Sequence, residues 1–344
     1  QDLAGHDFSW QDLELADFSG ANLAGANFTG CNLMAANFVG ANLADAIFDR
    51  ANLEYNSQDS PANFRDSILT NASFKGAFAE DVNFKAADLS NADFDGAGIR
   101  WADFSDAEMS NANLEGSNLY LTNFNRANLS NANLSNATFN GAKVIQTDFS
   151  DANMEGITIK GVSDFHKANF TGASLNRADF ENSKFVDANF SDAIITNSRF
   201  YMSDFTGANF TDANVSYPNA NQPSYYWYPD EGSYGAIFHK ANLTNTNFSG
   251  LDLYYANLAS AVTENTDFSG TNLSHAKFWN MDLTGAKFTG ALFYDTELQG
   301  SDLSGVDLRG AKFGGYDANF EGTKFVNADM RNIASYSEGS PYGF

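Results

Sequence analysis

The sequence is poor in cysteine, proline and basic residues, and these shortages exclude several classes of protein. Cys31 is the single cysteine among 344 residues, so neither a disulfide framework nor a cysteine-based metal site is available. The chain has 19 basic and 43 acidic residues, a formal net charge of −24. We therefore expect no direct nucleic-acid binding, because neutralising a phosphate backbone requires a basic surface.

Long apolar runs are also missing, and this bears on location. No run of about 18 apolar residues is present, so the sequence predicts no membrane insertion. The first residue is Gln1 rather than Met, as processing of a longer precursor would leave it. We predict an extracellular or cell-surface location, with the cytoplasm as the alternative.

Motifs of catalysis are absent from the sequence. There is no H-x-x-x-H pair, no glycine-rich phosphate loop and no nucleophile elbow. The four histidines stand outside the periodic apolar positions described below. We therefore predict no enzyme activity, no catalytic residue, no cofactor and no bound metal.

What the chain has instead is a five-residue period. From Leu3 to Leu53 every fifth residue is large and apolar, and Leu alternates there with Phe. The period resumes at Phe64, Phe165, Phe238 and Phe320, each time after a shift in register. A helix turns about 100° per residue, so an apolar position repeated every five residues would drift by about 140° per repeat and form no stripe. A chain that turns a corner every five residues keeps all these positions inside.

Each repeat has a fixed order of residue types. The large residue, here called the apolar centre, follows a small residue, usually Ala, and then a polar position held by Asn or Asp, as in Ala26-Asn27-Phe28. A polar residue and often Gly come next, and these residue types favour tight turns.

This pattern resembles the pentapeptide-repeat family, whose repeat is A(D/N)LXX, over nearly all of the chain. The resemblance implies an all-β fold: a right-handed quadrilateral β-helix, or β-solenoid, with four pentapeptides per coil. About 60 repeats would then form about 15 coils. Within that geometry, the alternation of Leu and Phe places Phe8, Phe28 and Phe48 in one column and Phe18 and Phe38 in the opposite one.

The register shifts predict external insertions on a single solenoid domain of residues 1–330. They fall at residues 54–61, near Gly161, at residues 216–236 and near Gly314. In the third, Phe238 follows Val215 by 23 residues where one repeat would need five. The third insertion is dense in aromatic residues, which predicts either a loop folded flat on one wall or an interaction surface for a protein partner.

The two ends of the solenoid are the other candidate surfaces. Uncapped coils expose apolar centres and open backbone groups. The C-terminal stretch, residues 331–344, is predicted either to cap its own solenoid or to dock on a neighbour. The candidate interaction residues of the insertion and the tail are Tyr225, Tyr226, Trp227, Tyr228, Tyr336, Tyr342 and Phe344. The candidate end-face residues are Leu3, Phe8, Leu13, Phe18, Phe320, Phe325 and Met330.

Three functions fit these features. The leading hypothesis is a structural protein that associates with itself head to tail and forms extracellular filaments. The second is a scaffold that binds a protein partner through the aromatic loop. The third follows from the resemblance, since some family members are acidic, DNA-shaped proteins that bind DNA gyrase. Against it, the gyrase-directed members of that family dimerise through a C-terminal module, and no comparable apolar helical segment is visible in this sequence.

Overall fold

A computed structural model describes residues 1–54, 61–159, 161–180, 182–196, 198, 203–215, 236–251, 253–315 and 318–336. The chain forms two compact units, Gln1–Asp179 and Phe180–Phe344, which are described separately. Both units are built from short extended segments joined by tight turns, as a β-solenoid requires.

One tight turn closes each repeat. In the first repeat the N–H of His6 donates to the carbonyl of Leu3 at 3.1 Å, which closes a four-residue turn. The third residue of such turns has a positive φ, for example 62° at Gly20 and 60° at Asn71. Gly, Asn and Asp tolerate this left-handed backbone best, which explains their frequency two residues after the apolar centre.

The coils stack through parallel backbone pairing. Asp2 pairs with Asn22, 20 positions later, and this spacing recurs along both units. Four pentapeptides therefore make one coil, as predicted. Among the described residues four shifts interrupt the spacing. Three of them are at the pairs Asn37–Asn63, Lys143–Asp164 and Glu297–Asn319, which lie 26, 21 and 22 positions apart.

The largest shift differs from the sequence-based count. Asp204 pairs with Ile237, 33 positions later and 13 more than the regular spacing of 20. The register thus sets Phe238 two repeats after Val215, because a coil needs four sides. The expectation that Phe238 belongs to the repeat directly after that of Val215 is therefore wrong. The domain and insertion boundaries themselves remain predictions.

Near the C-terminus the pairing is continuous enough to form a small sheet. Within the described residues it contains β1 (Leu292–Tyr294), β2 (Lys312–Gly314) and β3 (Ala334–Tyr336). The strands run parallel in the order β1-β2-β3, with Phe293 opposite Phe313 and Phe313 opposite Ser335. The sheet carries the stacking pattern into the start of the C-terminal stretch.

The apolar centres point inward and stack in columns. Phe8, Phe28 and Phe48 form one parallel stack, with ring centres 5.0 and 4.9 Å apart. Phe18 and Phe38 form the other, at 5.1 Å. The two columns touch edge to face, as between Phe28 and Phe38 at 5.6 Å, so the rings fill the interior. Both predicted columns are confirmed.

The polar positions form ladders along the outside. The amide nitrogen of Asn133 donates to the side-chain oxygen of Asn113 at 3.2 Å, and that of Asn153 donates to Asn133 at 3.1 Å. The Asn133 oxygen also accepts the backbone N–H of Ser135 at 3.2 Å, which stabilises the turn. Asn can donate and accept in such a ladder, whereas an ionised Asp can only accept.

The small position is buried, and two of the threonines that occupy it show how a hydroxyl group can be accommodated there. The Thr147 hydroxyl donates to the carbonyl of Phe124 at 2.7 Å, and the Thr246 hydroxyl to that of Phe210 at 2.6 Å. Each acceptor is an apolar centre of the preceding coil. Thr can therefore replace Ala at these two positions without leaving a buried polar group unpaired, whereas the buried hydroxyl of Ser117, at another small position, has no partner among the described residues.

Cys31 occupies one of these small positions, as the sequence predicted. It is 1% exposed, its Sγ lies 2.9 Å from the carbonyl oxygen of Phe8, and burial raises the pKa of its thiol. We expect a thiol reagent to modify the native protein about a hundredfold more slowly than the unfolded chain. Because Cys31 is the single cysteine, thiol titration with and without denaturant measures this directly. Equal rates in both conditions would show that the site is open.

Candidate interaction surfaces

The first coil, residues 1–20, covers one end of the first unit. Phe8 and Phe18 are 9% and 8% exposed, whereas Leu23 and Phe28 in the next coil are fully buried. Within the described part of the chain, the backbone N–H of Asp2 has no acceptor; the equivalent N–H of Asn22 donates to the preceding coil. This face therefore has the open pairing edge that a further coil could use.

The four polar positions of the first coil all hold Asp, namely Asp2, Asp7, Asp12 and Asp17. Each accepts a hydrogen bond from the Asn one coil later, at 2.8–3.0 Å. Hydrogen bonds from Ser9 and Ser19 hold the pKa of Asp7 and of Asp17 below the usual range. No basic residue precedes Arg50 in the sequence, so this face is acidic.

The second candidate face belongs to the last described coil of the second unit, residues 318–336. There an open apolar depression of about 240 Å³, here called the end bowl, is lined by Phe313, Phe320, Phe325, Met330, Ile333, Ala334 and Ser335. Met330 and Ile333 are 36% and 43% exposed, although a repeat centre in mid-solenoid is fully buried. Apolar surface of this kind, open to water, marks a candidate contact surface.

Two basic residues are sequence neighbours of residues that line the end bowl: Lys324 precedes Phe325, and Arg331 follows Met330. Arg331 forms an ion pair with Asp329 at 2.6 Å, and Lys324 forms one with Asp302 at 3.1 Å. The hydrogen bond from Arg331 holds the pKa of Asp329 below its usual value. Arg331 and Lys324 remain 73% and 64% exposed, so they can also reach a group outside the chain.

The structure brings together only part of the predicted site. Phe320, Phe325 and Met330 meet at the end bowl, and Leu3, Phe8, Leu13 and Phe18 share the first coil. Tyr336 ends β3. The other candidates lie outside the described residues: Tyr225, Tyr226, Trp227, Tyr228, Tyr342 and Phe344.

Sequence reasoning missed four residues of the end bowl, namely Phe313, Ile333, Ala334 and Ser335. Phe313 was counted as an ordinary repeat centre, and Ile333 stands three residues after Met330, out of the five-residue register. It also missed Trp10, which is 70% exposed and lies over Gly30. A Cβ on Gly30 would come within 2.4 Å of the Trp10 ring, so Gly30 makes room for it. A tryptophan facing a glycine one coil later is the signal that could have identified this contact.

Aromatic side chains also gather on the turns of the first unit. Trp101 and Tyr120 make an edge-to-face contact at 5.9 Å, and the Arg100 guanidinium lies 4.9 Å from the centre of the Trp101 ring. Arg100 is held by Glu80 through a hydrogen bond of 2.6 Å. The cluster's cation is thus already paired within the chain.

A second aromatic group lies on the turns of the second unit. The His275 ring stacks on Tyr255 at 4.5 Å and meets Tyr254 edge to face at 5.2 Å. Its Nε2 lies 3.9 Å from the carboxylate of the buried Asp295. These contacts pack successive turns against one another.

Two kinds of site were not found in the described part of the chain. No group of three or more His, Cys, Asp or Glu residues there has a geometry that could hold a metal ion. None of the described residues forms a helix with the length and hydrophobicity needed to span a bilayer.

Comparisons with known families agree with the repeat pattern. The family model described as "Pentapeptide repeats (8 copies)" matches residues 1–30, 16–54, 81–120, 117–156, 163–201 and 173–212, more than half of the chain. A second model, described as "Pentapeptide repeat region", matches residues 235–315. No curated protein sequence matches the chain.

Several solved structures are similar. HetL, a pentapeptide repeat protein involved in heterocyst differentiation regulation in the cyanobacterium Nostoc, is 21% identical; the match covers 79% of this chain and 86% of HetL, with a TM-score of 0.24. A pentapeptide repeat protein of the Arabidopsis thaliana thylakoid lumen is 34% identical over 31% of this chain and 66% of its own, with a TM-score of 0.21. QnrB1, a plasmid-mediated fluoroquinolone resistance protein, is 16% identical over 65% and 86%, with a TM-score of 0.27.

Proposed function

The chain belongs to the pentapeptide-repeat family, and we propose that it is a non-enzymatic structural protein that associates with itself head to tail. The observation that carries this proposal is the end bowl, where Phe320, Phe325 and Met330 stay open to water although they are repeat centres. A second copy offers the matching surface, since its first coil has apolar centres of the same spacing.

Backbone polarity supports the same arrangement. In each coil the N–H of an apolar centre donates to the next coil, as Leu3 does to Asn22 at 2.7 Å, and Asn22 donates back to Gln1 at 2.8 Å. The first coil of one copy and the last described coil of another are therefore complementary donors and acceptors. Stacking them extends a parallel ladder, in a solenoid for which the repeat count gives about 15 coils and the family resemblance implies a right-handed path.

The energetics permit this contact without guaranteeing tight association. If stacking buries on the order of 500 Å² of apolar surface, transfer from water contributes roughly 12 kcal/mol. Association costs of about 4–15 kcal/mol oppose it. The net charge of −24 opposes it further. Because the two faces differ, the contact is heterologous, and a heterologous contact that does not close produces an open fibre.

The scaffold and DNA-mimic hypotheses remain predictions. The scaffold hypothesis depends on the aromatic insertion at residues 216–236, whose aromatic residues lie outside the described part of the chain. The DNA-mimic hypothesis depends on the acidic charge and on the resemblance to family members that bind DNA gyrase. Neither has a feature comparable to the end bowl in its favour.

Removing the residues after β3, Ser337–Phe344, tests the proposal. We expect the intact chain, the truncated chain or both to form species that grow with concentration, measured by light scattering. Loss of association on truncation means that the tail docks on a neighbour, and a gain means that it covers its own end bowl. A protein that stays monomeric at high concentration with and without these residues contradicts head-to-tail association.

A further inference from the structure

One pair of acidic residues near the C-terminus shows how this solenoid accommodates two like charges in adjacent coils. Asp307 and Asp329 occupy the same polar position on successive coils and pair directly through the backbone. Arg309 forms an ion pair with Asp307 at 2.7 Å and lies 3.8 Å from Asp329. An arginine just after the apolar centre therefore bridges an Asp of its own coil and an Asp of the next.

Arg331 repeats this arrangement one coil later. It stands just after the centre Met330, as Arg309 stands just after Leu308, and it pairs with Asp329 at 2.6 Å. The described residues contain no further coil above Asp329 on this side. Arg309 contacts an Asp of its own coil and an Asp of the next coil. By analogy, Arg331 could also pair with an Asp at the polar position of a coil stacked above Asp329.

The first coil supplies such a group on every side. Its polar positions are all Asp, which accept hydrogen bonds from the following coil but cannot donate to a preceding one. An Asn ladder therefore cannot continue through this coil in the usual way. A basic residue below an Asp can replace the missing hydrogen bond between the two coils with an ion pair.

The spiral path of the chain selects one rotation between two stacked copies. The uppermost polar positions of the last described coil rise in the order Asn319, Lys324, Asp329 and Ala334. The lowest positions of the first coil rise in the order Asp2, Asp7, Asp12 and Asp17. The two coils fit when the lowest residue of one series lies against the lowest residue of the other, so that Asp2 of the second copy lies above Asn319. Any other rotation leaves at least one side mismatched by a full strand spacing, about 4.8 Å.

We propose that a second copy of this chain docks on the end bowl in this one rotation, held by ion pairs of Lys324 with its Asp7 and of Arg331 with its Asp12. The inference rests on the proposed head-to-tail function and adds the register and the residues that select it. In this rotation Asp12 meets Asp329 across the contact, and Arg331 bridges them as Arg309 bridges Asp307 and Asp329.

Reversing the charges on each face distinguishes the proposed ion pairs from general repulsion between negatively charged copies. One variant carries Lys324→Glu with Arg331→Glu, and a second carries Asp7→Lys with Asp12→Lys. We expect each alone to weaken association about tenfold or more, measured as the dissociation constant by sedimentation velocity. The second variant lowers the net negative charge, so repulsion alone predicts tighter association where the ion pairs predict weaker.

A mixture of the two variants is the decisive experiment, because it restores opposite charges at the contact. Each mixed contact then joins an acidic face to a basic one, so a 1:1 mixture should associate as tightly as the wild type. The matched control is Lys85→Glu with Arg126→Glu, which makes the same charge change at two exposed residues that both pair with Asp106 inside the first unit. It should stay close to the wild type.

The isosteric variant Asp7→Asn with Asp12→Asn removes the two charges with little risk of misfolding. Each Asn keeps the side-chain oxygen that accepts a hydrogen bond from Asn27 or Asn32. It should also weaken association, with an unchanged melting temperature. If the wild type associates but the face variants behave like the control, or the mixture stays weak, the register is wrong and the proposed function stands. A wild type that does not associate overturns the proposed function and this register together.

Discussion

Truncating Phe104 to alanine is expected to lower the free energy of unfolding by about 3–5 kcal/mol. The Phe104 ring is fully buried and stacks between Phe84 at 4.9 Å and Phe124 at 5.1 Å. It also meets Phe94 edge to face at 5.7 Å. Because each neighbour is fixed in its own column and coil, the rings cannot close the cavity without breaking backbone pairing.

Phe78 provides the matched control for this truncation. It sits at a polar position, is 55% exposed and pairs through the backbone with Gly98, so its ring has no stacked partner in the next coil. Phe78→Ala should therefore cost less than about 1 kcal/mol in the same chemical denaturation experiment. Similar costs for the two substitutions would refute the inward placement of the apolar centres.

Placing a carboxylate in the end bowl should abolish association. Phe325→Asp puts a charge among Phe320, Met330 and Ile333, and burying it against a second copy leaves it without a partner. We expect the dissociation constant to rise about a hundredfold or more, while the melting temperature changes less than for a mid-solenoid centre, because Phe325 is already partly exposed.

Val326→Asp is the matched control for that substitution. Val326 is the next residue along the chain and is 60% exposed, so it receives the same charge outside the bowl. Its association should stay within a few-fold of the wild type. If the two variants associate equally well, the end bowl is not the contact surface.

The repeat pattern predicts the coil well because one residue type solves one local problem at each position. Phe28 fills the interior, Ala26 fits where the chain turns a corner, and Asn27 links coils through its side chain. These demands recur in every coil, so a single sequence suffices to recognise them. The same reasoning placed Cys31 among the small buried residues.

The exceptions to the pattern follow from contacts between coils, which a five-residue pattern does not encode. Phe78 occupies a polar position beside the small centre Ala79, and its ring points outward. Further along, Phe124 and Phe139 meet at a tilted 6.4 Å contact, where the Phe residues change columns. The end bowl was missed in part because Ile333 stands out of register. Partners and location stay predictions, since nothing in the repeat specifies them.

Electron microscopy of the concentrated protein tests head-to-tail association most directly. Because the faces that meet are different and each copy has one of each, we expect unbranched filaments in which all copies point the same way. The Phe325→Asp variant should show none under the same conditions. Isolated particles at every concentration, with and without Ser337–Phe344, or pairs joined side by side, would contradict the account.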